Sequence, residues 1–176
     1  MFLSLKPLTL VPLLLALCCH GPRVRTEAGR NIKAYFTPGG SPTAAIIKAL
    51  DNAKKSVHVQ AYSFTSAPIA EALKRAHDRG VTVRVILDKS QKHERHTSAT
   101  FLIRAGIPVW IDRKHAIAHN KVMIVDSAIV ITGSFNFTRS AEERNAENLV
   151  VITDGRIVNQ YLANWRKCKA HSEKAR

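Results

Sequence analysis

Seven short runs rich in β-branched residues constrain what this chain can fold into. The first four, NIKAYFTP, SVHVQAYSF, VTVRVILD and IPVWID, are separated by stretches long enough for helices. Strands that alternate with helices indicate parallel βαβ units. The last three, HNKVMIVD, AIVITGS and ENLVVITD, follow one another too closely for crossover helices, so they predict antiparallel pairing. The fold class expected is therefore α/β (mixed α+β), a single domain with a mixed parallel and antiparallel sheet flanked by helices.

Turn and cap residues place the helices between these runs. Ser41-Pro42 and Ser66 with Pro68 have the form of helix starts, and Gly80 stands where a helix C-cap belongs. In the second run, Val57, Val59 and Ala61 share one strand face, and His58, Gln60 and Tyr62 share the other. The predicted helices are 42–55, 66–79, a polar helix at 93–104, and 156–169.

The N-terminus differs from the rest of the chain. It carries one early lysine and then an apolar run from Leu8 to Cys19, which is too short to favour a transmembrane helix. Such a run suits the apolar region of a secretory signal peptide, with a cleavage site after Ala28. The expectation is a signal peptide at 1–28, a domain at 29–176, and a secreted or periplasmic protein.

Composition and charge narrow the function classes. With 45% hydrophobic and 23% charged residues, the chain is not a disordered tail. The net charge is +14, and removal of residues 1–28 deletes three basic residues and one acid, leaving +12. Such a charge attracts polyanions, either nucleic acid or an anionic membrane surface. Outside the predicted signal peptide Cys168 stands alone, so no internal disulfide framework is expected.

The stretch AHNKVMIVDSAIVITGSFNFT, residues 118–138, combines a strand-like apolar run with polar residues that a core strand does not need. If the strand is regular, His119 and Lys121 project to the same side, about 6.6 Å apart along the strand. Asp126 has the opposite parity and is expected to fix the strand from behind. At the end of the next strand, Ser134 and Asn136 offer a hydroxyl and an amide.

This set of side chains suits chemistry at a phosphodiester. A neutral imidazole of His119 can attack phosphorus, while Lys121 and Asn136 neutralise charge that develops on the non-bridging oxygens. Glu147 begins the next strand and is predicted to accept a hydrogen bond from His119, which would set the tautomer of the ring. His115 and His119 are four residues apart, a spacing that suits zinc on a helix, but the flanking β-branched residues argue against that helix.

The pattern His-x-Lys-x4-Asp is expected only about 0.02 times by chance in a chain of this composition. HNKVMIVD, with GSFNFT and ENLVV, resembles the phospholipase D superfamily and its HKD motif. The resemblance extends upstream through VQAYSFTSAPIAEALKRAHDRGVTVRVILD, and it is nearest to the small secreted bacterial endonucleases that carry one motif per chain.

The resemblance implies roles for individual residues. His119 corresponds to the nucleophile that forms a phosphohistidine, and Lys121 and Asn136 to the phosphate-binding residues. Ser134 and Glu147 take supporting roles, and Asp126 a structural one. A second motif histidine protonates the leaving oxygen, and no metal or other cofactor is implied.

Three functions remain open at this point. The leading hypothesis is an exported, metal-independent phosphodiesterase, a non-specific endonuclease with DNA as its substrate and RNA as the alternative. The second is a phospholipase D acting on phospholipid head groups, and the third a non-catalytic nucleic-acid-binding module. The sequence holds one such motif, so the enzyme is predicted to be a homodimer with a composite active site.

Overall fold

The computed structural model describes residues 32–92 and 97–175. The predicted signal peptide and residues 93–96 of the predicted polar helix lie outside these ranges. The strands are β1 (Ile32–Thr37), β2 (Ser56–Ala61), β3 (Thr82–Asp88), β4 (Val109–Asp112), β5 (Lys121–Val125), β6 (Ile129–Gly133), β7 (Glu147–Ile152) and β8 (Glu173–Lys174). The helices are α1 (Pro42–Asn52), α2 (Ala67–Asp78), α3 (Ala99–Arg104), α4 (Arg139–Glu143) and α5 (Gly155–His171), and a short 3₁₀ helix, Lys89–Lys92, follows β3.

The strands form one mixed sheet in the order β1-β7-β6-β5-β2-β3-β4-β8. Strands β2, β3 and β4 are parallel, and all the other pairings are antiparallel. This arrangement confirms the predicted fold class, with parallel βαβ units followed by an antiparallel meander. Since β5 runs antiparallel to β2, the start of β5 lies at the same edge of the sheet as the C-terminal ends of β2, β3 and β4.

The first strand does not belong to the parallel part of the sheet. Strand β1 pairs with β7 at one end of the sheet and is separated from β2 by three strands. The prediction that the first four strands form consecutive parallel pairs is therefore wrong for β1. Its partner lies more than a hundred residues away, and the local pattern of apolar residues carries no information about such a pairing.

Helices cover both faces of the sheet and produce two apolar cores. On one face, α1, α2 and α3 pack on Val57, Val59 and other buried residues. On the other face, α5 packs Val158, Leu162 and Trp165 against β3, β5 and β6. The alternation predicted for β2 is confirmed, because His58 turns away from Val57 and Val59 and contacts the Trp165 ring, with ring centroids 4.5 Å apart. Burial, together with the nearby Arg84 and Arg166, lowers the pKa of His58 to about 4.

Three local elements differ from the sequence prediction. The predicted polar helix is described as helical only from Ala99 to Arg104. Helix α4 was not predicted; its first turn is capped by the Thr138 hydroxyl, which accepts a hydrogen bond from the Ala141 amide. The last helix extends two residues beyond its predicted end, to His171, and β8 then pairs with β4. Within the described ranges, none of the helices combines the length and apolar character that crossing a membrane requires.

Candidate active site

An open cleft of about 430 Å³ lies at the edge of the sheet where β5 begins and β6 ends. It is lined by His119, Lys121, Gly133, Ser134, Asn136 and Glu147. Five of the six predicted site residues thus share one cleft, although they come from two strands and two connecting segments. The sixth, Asp126, lies at the opposite end of β5.

His119 and Lys121 meet in the cleft even though only Lys121 belongs to the regular strand. Strand β5 begins at Lys121, whereas His119 lies two residues earlier, in the segment that leads from β4. The Lys121 side chain is only 6% exposed, and its Nζ donates a hydrogen bond to the carbonyl oxygen of His119 at 3.1 Å. Burial lowers the pKa of Lys121, and the charge of Glu147 partly opposes that shift. The ammonium keeps two further N–H groups for a ligand.

Tyr62 is a neighbour of both residues that sequence reasoning did not assign to the site. Its ring centroid lies 4.5 Å from that of His119, and the Nζ of Lys121 lies 5.0 Å from the same ring. The Tyr62 amide also donates to the carbonyl oxygen of Asn120, which ties the end of β2 to the entry of β5. The alternation of β2 placed Tyr62 on a defined face, but it could not show which residues stand in front of that face.

The segment GSFNF positions its polar side chains by burying the alternate ones. Phe135 and Phe137 are fully buried, and Phe137 packs against Phe64 with ring centroids 5.7 Å apart. Ser134 and Asn136 have the opposite parity and line the cleft. The side-chain oxygen of Asn136 is buried and has no hydrogen-bond partner among the described residues, and the NH2 group is the part of this side chain that can donate to an anion.

Gly133 permits the close approach of β6 and β7 at this point. A Cβ at this position would collide with the carbonyl oxygen of Asn148 on the neighbouring strand. The Ser134 hydroxyl accepts a hydrogen bond from the Asn148 amide at 3.0 Å and donates to Glu147 Oε2 at 2.6 Å. A residue other than glycine at position 133 would therefore push β6 away from β7 and displace Ser134.

The predicted hydrogen bond between His119 and Glu147 is not present in the structure. Glu147 Oε2 accepts from the Ser134 hydroxyl, and Oε1 accepts from the Asn145 side-chain amide at 3.0 Å. Glu147 thus borders the cleft as a fixed negative charge and not as the partner of the imidazole. The order of the strands predicted that both residues lie at one edge of the sheet, but it carried no information about competing donors near Glu147.

Asp126 anchors the far end of β5, as its parity predicted. Its Oδ1 accepts hydrogen bonds from the amides of Lys55 and Ser56, and its Oδ2 accepts from the amide of Lys54, all at 2.7–2.9 Å. Burial raises the pKa of the Asp126 carboxyl, but these amide donors outweigh it, so the pKa lies below its usual value. Asp126 and Ser127 both have positive φ (54° and 52°), which is the backbone of a tight turn between β5 and β6.

A second carboxylate, Asp88, holds the segment that carries His119. Asp88 ends β3 and is 3% exposed, and its Oδ2 accepts a hydrogen bond from the Ala118 amide at 2.7 Å. Burial raises its pKa, but donation from the amides of Ser90 and Ala118 outweighs this effect and lowers the pKa overall. Sequence reasoning missed this role, although an aspartate at the end of a buried parallel strand was an available signal.

The donors in the cleft suit an anion. An ammonium, an amide and an imidazole converge there, and both oxygens of its single acidic residue, Glu147, already accept hydrogen bonds. Divalent cations that assist phosphoryl chemistry prefer several carboxylate or carbonyl oxygens, which the described cleft residues do not supply. His115 and His119 do not form the helical pair that a zinc site would need, since residues 113–120 are not helical.

Fold and cleft together define a phosphodiesterase of the HKD type, and comparisons with known proteins agree. A family model described as "Cardiolipin synthase, PLD-like domain" matches residues 46–168. The chain belongs to the phospholipase D superfamily, as the HKD motif predicted, and is a hydrolase of phosphodiester bonds. Its motif histidine, lysine and aspartate are His119, Lys121 and Asp126.

Similar proteins carry several names within this superfamily. A protein of Rickettsia felis named phospholipase D is 45% identical over 140 residues, which cover 80% of this chain and 70% of the relative. The human mitochondrial cardiolipin hydrolase is 32% identical over 129 residues, which cover 73% of this chain and 51% of the relative. The crystal structure of Nuc from Salmonella typhimurium, a phospholipase D family member, superposes with a TM-score of 0.80 at 36% identity and covers 84% of this chain and 99% of Nuc.

Proposed function

We propose that this phosphodiesterase is an exported, metal-independent endonuclease that hydrolyses DNA, and RNA as a second substrate, with little sequence preference. The observation that supports it most directly is the cleft itself, in which His119, Lys121 and Asn136 converge without a set of metal-binding carboxylates. The charge of +14 for the whole chain favours a polyanionic substrate. The resemblance to small single-motif endonucleases points to the same substrate.

The proposed reaction has two displacements at phosphorus. An imidazole nitrogen of His119 attacks, the bond to the leaving oxygen breaks, and an acid protonates that oxygen. Water then attacks the phosphohistidine, releases the imidazole and returns a proton to the acid. In both steps Lys121 and the Asn136 amide stabilise the charge on the non-bridging oxygens.

The acid in this scheme comes from a second copy of the chain. The sequence holds one His-x-Lys-x4-Asp pattern, so one protomer supplies one motif histidine. Two-fold symmetry places His119 of the partner subunit opposite His119 across a shared phosphate. One imidazole is then neutral and attacks, while the other is protonated and donates its proton to the leaving oxygen. We therefore propose a homodimer with one composite site.

The experiment that tests the substrate uses the mature protein with plasmid DNA, single-stranded RNA and phosphatidylcholine vesicles in parallel, each with excess EDTA. We expect plasmid cleavage to persist in EDTA, because Lys121 and Asn136 bind the phosphate. Circular dichroism of the same samples shows that the chelator has not unfolded the protein. Loss of cleavage in a folded sample, restored by magnesium, would overturn the metal-independent mechanism.

Phospholipid hydrolysis is the second candidate, and the names of the relatives favour it. The Rickettsia felis protein is named phospholipase D and is more similar in sequence to this chain than Nuc is. Ile117 lies two residues from His119 and is 59% exposed, so it could contact an acyl chain. Against this, Arg113 and Lys114 precede it in the same segment. Release of choline from vesicles without plasmid cleavage would replace the nuclease proposal; binding of DNA without either reaction would indicate a non-catalytic module.

Mixing experiments test the homodimer. Wild-type protein is incubated with an equal amount of the His119→Ala variant until subunits have exchanged. If each active site needs two histidines, about one quarter of the dimers stay fully active, whereas independent sites would leave about one half of the activity. Activity that follows the amount of wild-type chain, together with sedimentation as a monomer at the assay concentration, would contradict the composite site.

Export is tested on the intact gene product. We expect the protein recovered from outside the cytoplasm to begin near Gly29, because the apolar run and the small residue at Ala28 fit a signal peptidase site. Mass spectrometry of the N-terminal peptide measures this. Recovery only of the uncleaved chain in the cytoplasm would contradict export.

A further inference from the structure

Four metal-ligating side chains meet outside the cleft, where β4 ends against the end of α5. Asp112, Cys168 and His171 each bring one ligand atom within 4.8 Å of the others. His115 joins them, because its Nδ1 lies 2.8 Å from Asp112 Oδ2, and His171 Nε2 lies 3.3 Å from the same oxygen. Among the described residues, no second group of three or more His, Cys, Asp or Glu side chains meets in this way. None of the four lines the cleft.

We propose that Asp112, His115, Cys168 and His171 bind a zinc ion that fastens the segment carrying His119 to helix α5. The four residues form two pairs with the same spacing, Asp-x2-His and Cys-x2-His. Two short pairs from separate parts of a chain are the usual way in which proteins assemble a four-ligand zinc site. A thiolate and two imidazoles select zinc over magnesium or calcium, which bind oxygen ligands.

The surroundings of the Asp112 carboxylate prepare one of its oxygens for a ligand. Its Oδ1 accepts hydrogen bonds from the amides of Lys114 and His115, at 3.0 and 3.3 Å, which fixes the plane of the carboxylate. Its Oδ2 is thereby turned towards both imidazoles. Outer hydrogen bonds of this kind orient the ligands of metal sites. Asp112 is fully buried and Cys168 is 6% exposed, so water has little access to these two ligands.

The distances allow a metal with small adjustments. Zinc bonds of about 2.0–2.3 Å at tetrahedral angles separate ligand atoms by roughly 3.3–3.8 Å. The longest separation within the Asp112, Cys168 and His171 group is below 4.8 Å, so rotation of side chains suffices to close it. Zinc binding converts the Cys168 thiol to a thiolate and releases that proton to solvent. A carboxylate and a thiolate then balance the charge of the ion.

Hydrogen bonds alone also explain the contacts of Asp112 with the two histidines, and apolar packing explains the burial of Cys168, but neither gives its sulfur a bonding partner. The zinc proposal gives the thiol a role, because it makes the sulfur a ligand. A zinc ion would also have a structural effect that hydrogen bonds alone would not, because it would join β4, the segment 113–118 and α5 at one point. The proposal does not rest on the proposed function, because it concerns a structural ion and assigns it no part in phosphate chemistry.

The test measures metal in the purified full chain without reference to cleavage. After dialysis against trace zinc, we expect about one zinc per chain by elemental mass spectrometry. Replacement by cobalt should give a visible spectrum of tetrahedral cobalt and a near-ultraviolet thiolate-to-cobalt band. Cys168→Ser should lose the thiolate band, and His171→Gln should weaken zinc binding by more than the 10–100-fold typical of an outer partner.

Two further variants keep the test decisive if a buried substitution disturbs folding. His115→Gln changes a half-exposed ligand and should weaken zinc affinity in a chain whose circular dichroism is unchanged. His77→Gln changes a histidine on α2 that belongs to neither site and should leave affinity as in the wild type. Folded wild-type protein that binds neither zinc nor cobalt would overturn the proposal, and so would a thiolate band that survives in Cys168→Ser.

Discussion

The polar groups at the two ends of strand β5 differ in how much of their hydrogen-bonding capacity is used. At the Lys121 end, the Asn136 side-chain oxygen has no partner among the described residues, and the Lys121 ammonium makes one hydrogen bond. At the Asp126 end, both carboxylate oxygens are occupied by three backbone amides. One strand of five residues thus connects groups with free hydrogen-bonding capacity to a carboxylate whose capacity is used.

This difference explains how one short motif can contain both catalytic residues and a residue that stabilises the fold. Unused donors and acceptors cost stability unless a ligand engages them, so a site that keeps them needs compensation elsewhere. The Asp126 end provides such compensation, since it joins the residues before β2 to the turn after β5. Substitutions at the two ends should therefore separate activity from stability.

The largest loss of activity is expected at the Lys121 end of β5, for His119→Ala. Without the nucleophile we expect kcat on plasmid DNA to fall by at least about 10⁴-fold, while DNA affinity stays within about threefold, because distributed Lys and Arg residues provide most of it. Nicking assays and filter binding measure the two quantities. The matched control, His77→Gln, should cleave at the wild-type rate. Near wild-type cleavage by His119→Ala would show that the nucleophile is assigned to the wrong residue.

Lys121→Met tests the charge and keeps most of the shape of the side chain. The aliphatic part still packs in its buried position, but the ammonium that stabilises developing charge is lost, so kcat should fall by about 10²–10³-fold. The unfolding midpoint in urea should rise or stay unchanged, since a half-paired buried charge is removed. A variant that is destabilised and yet fully active per folded molecule would show that the role of Lys121 is structural, like that of Asp126.

At the Asp126 end of β5, substitutions should reduce stability more than activity. Asp126→Ala leaves the amides of Lys54, Lys55 and Ser56 without their acceptor, and we expect a loss of about 1–3 kcal/mol in the free energy of unfolding. Asp126→Asn keeps one acceptor oxygen and tolerates positive φ, so it should lose less. Urea denaturation gives the stabilities, and cleavage per folded molecule should stay within about threefold. A large loss of kcat in a stable variant would contradict a structural role.

The smallest effect is a difference in acid sensitivity. The pKa of Asp126 is lowered in the folded protein, so its ionised form adds stability that is fully present above the unfolded pKa of about 3.9 and is lost as the pH falls below it. The stability difference between the wild type and Asp126→Asn should therefore stay constant above about pH 5 and shrink as the pH falls below about 4. Urea midpoints at several pH values measure it, and a constant difference would show that ionisation of Asp126 is not the source.

The sequence was sufficient for the parts of the fold that depend on local pattern. Alternation in β2 identified its two faces, and the parity of His119, Lys121 and Asp126 separated the cleft from the anchor. Pairings between distant segments were not accessible in this way. Strand β1 joins β7, and β8 adds only two residues to β4, too few to show any period.

Competition between side chains was likewise beyond the sequence. Glu147 was expected to bond His119, but Ser134 and Asn145 occupy its two oxygens. Helix α4 has five residues, which is too short for an apolar stripe, so only the capping residue Thr138 marked it. Asp88 could have been recognised as a carboxylate at the end of a parallel strand, but its acceptance of the Ala118 amide depends on the course of the loop.

The attachment of Ala118 to Asp88 bears on how this enzyme can change over evolutionary time. A hydrogen bond from the Ala118 amide to Asp88 attaches the residue before His119 to the end of β3. The exposed residues Ala116 and Ile117 can therefore be exchanged while the attacking nitrogen stays in place. A lineage could acquire different substrates through these two positions and retain its chemistry.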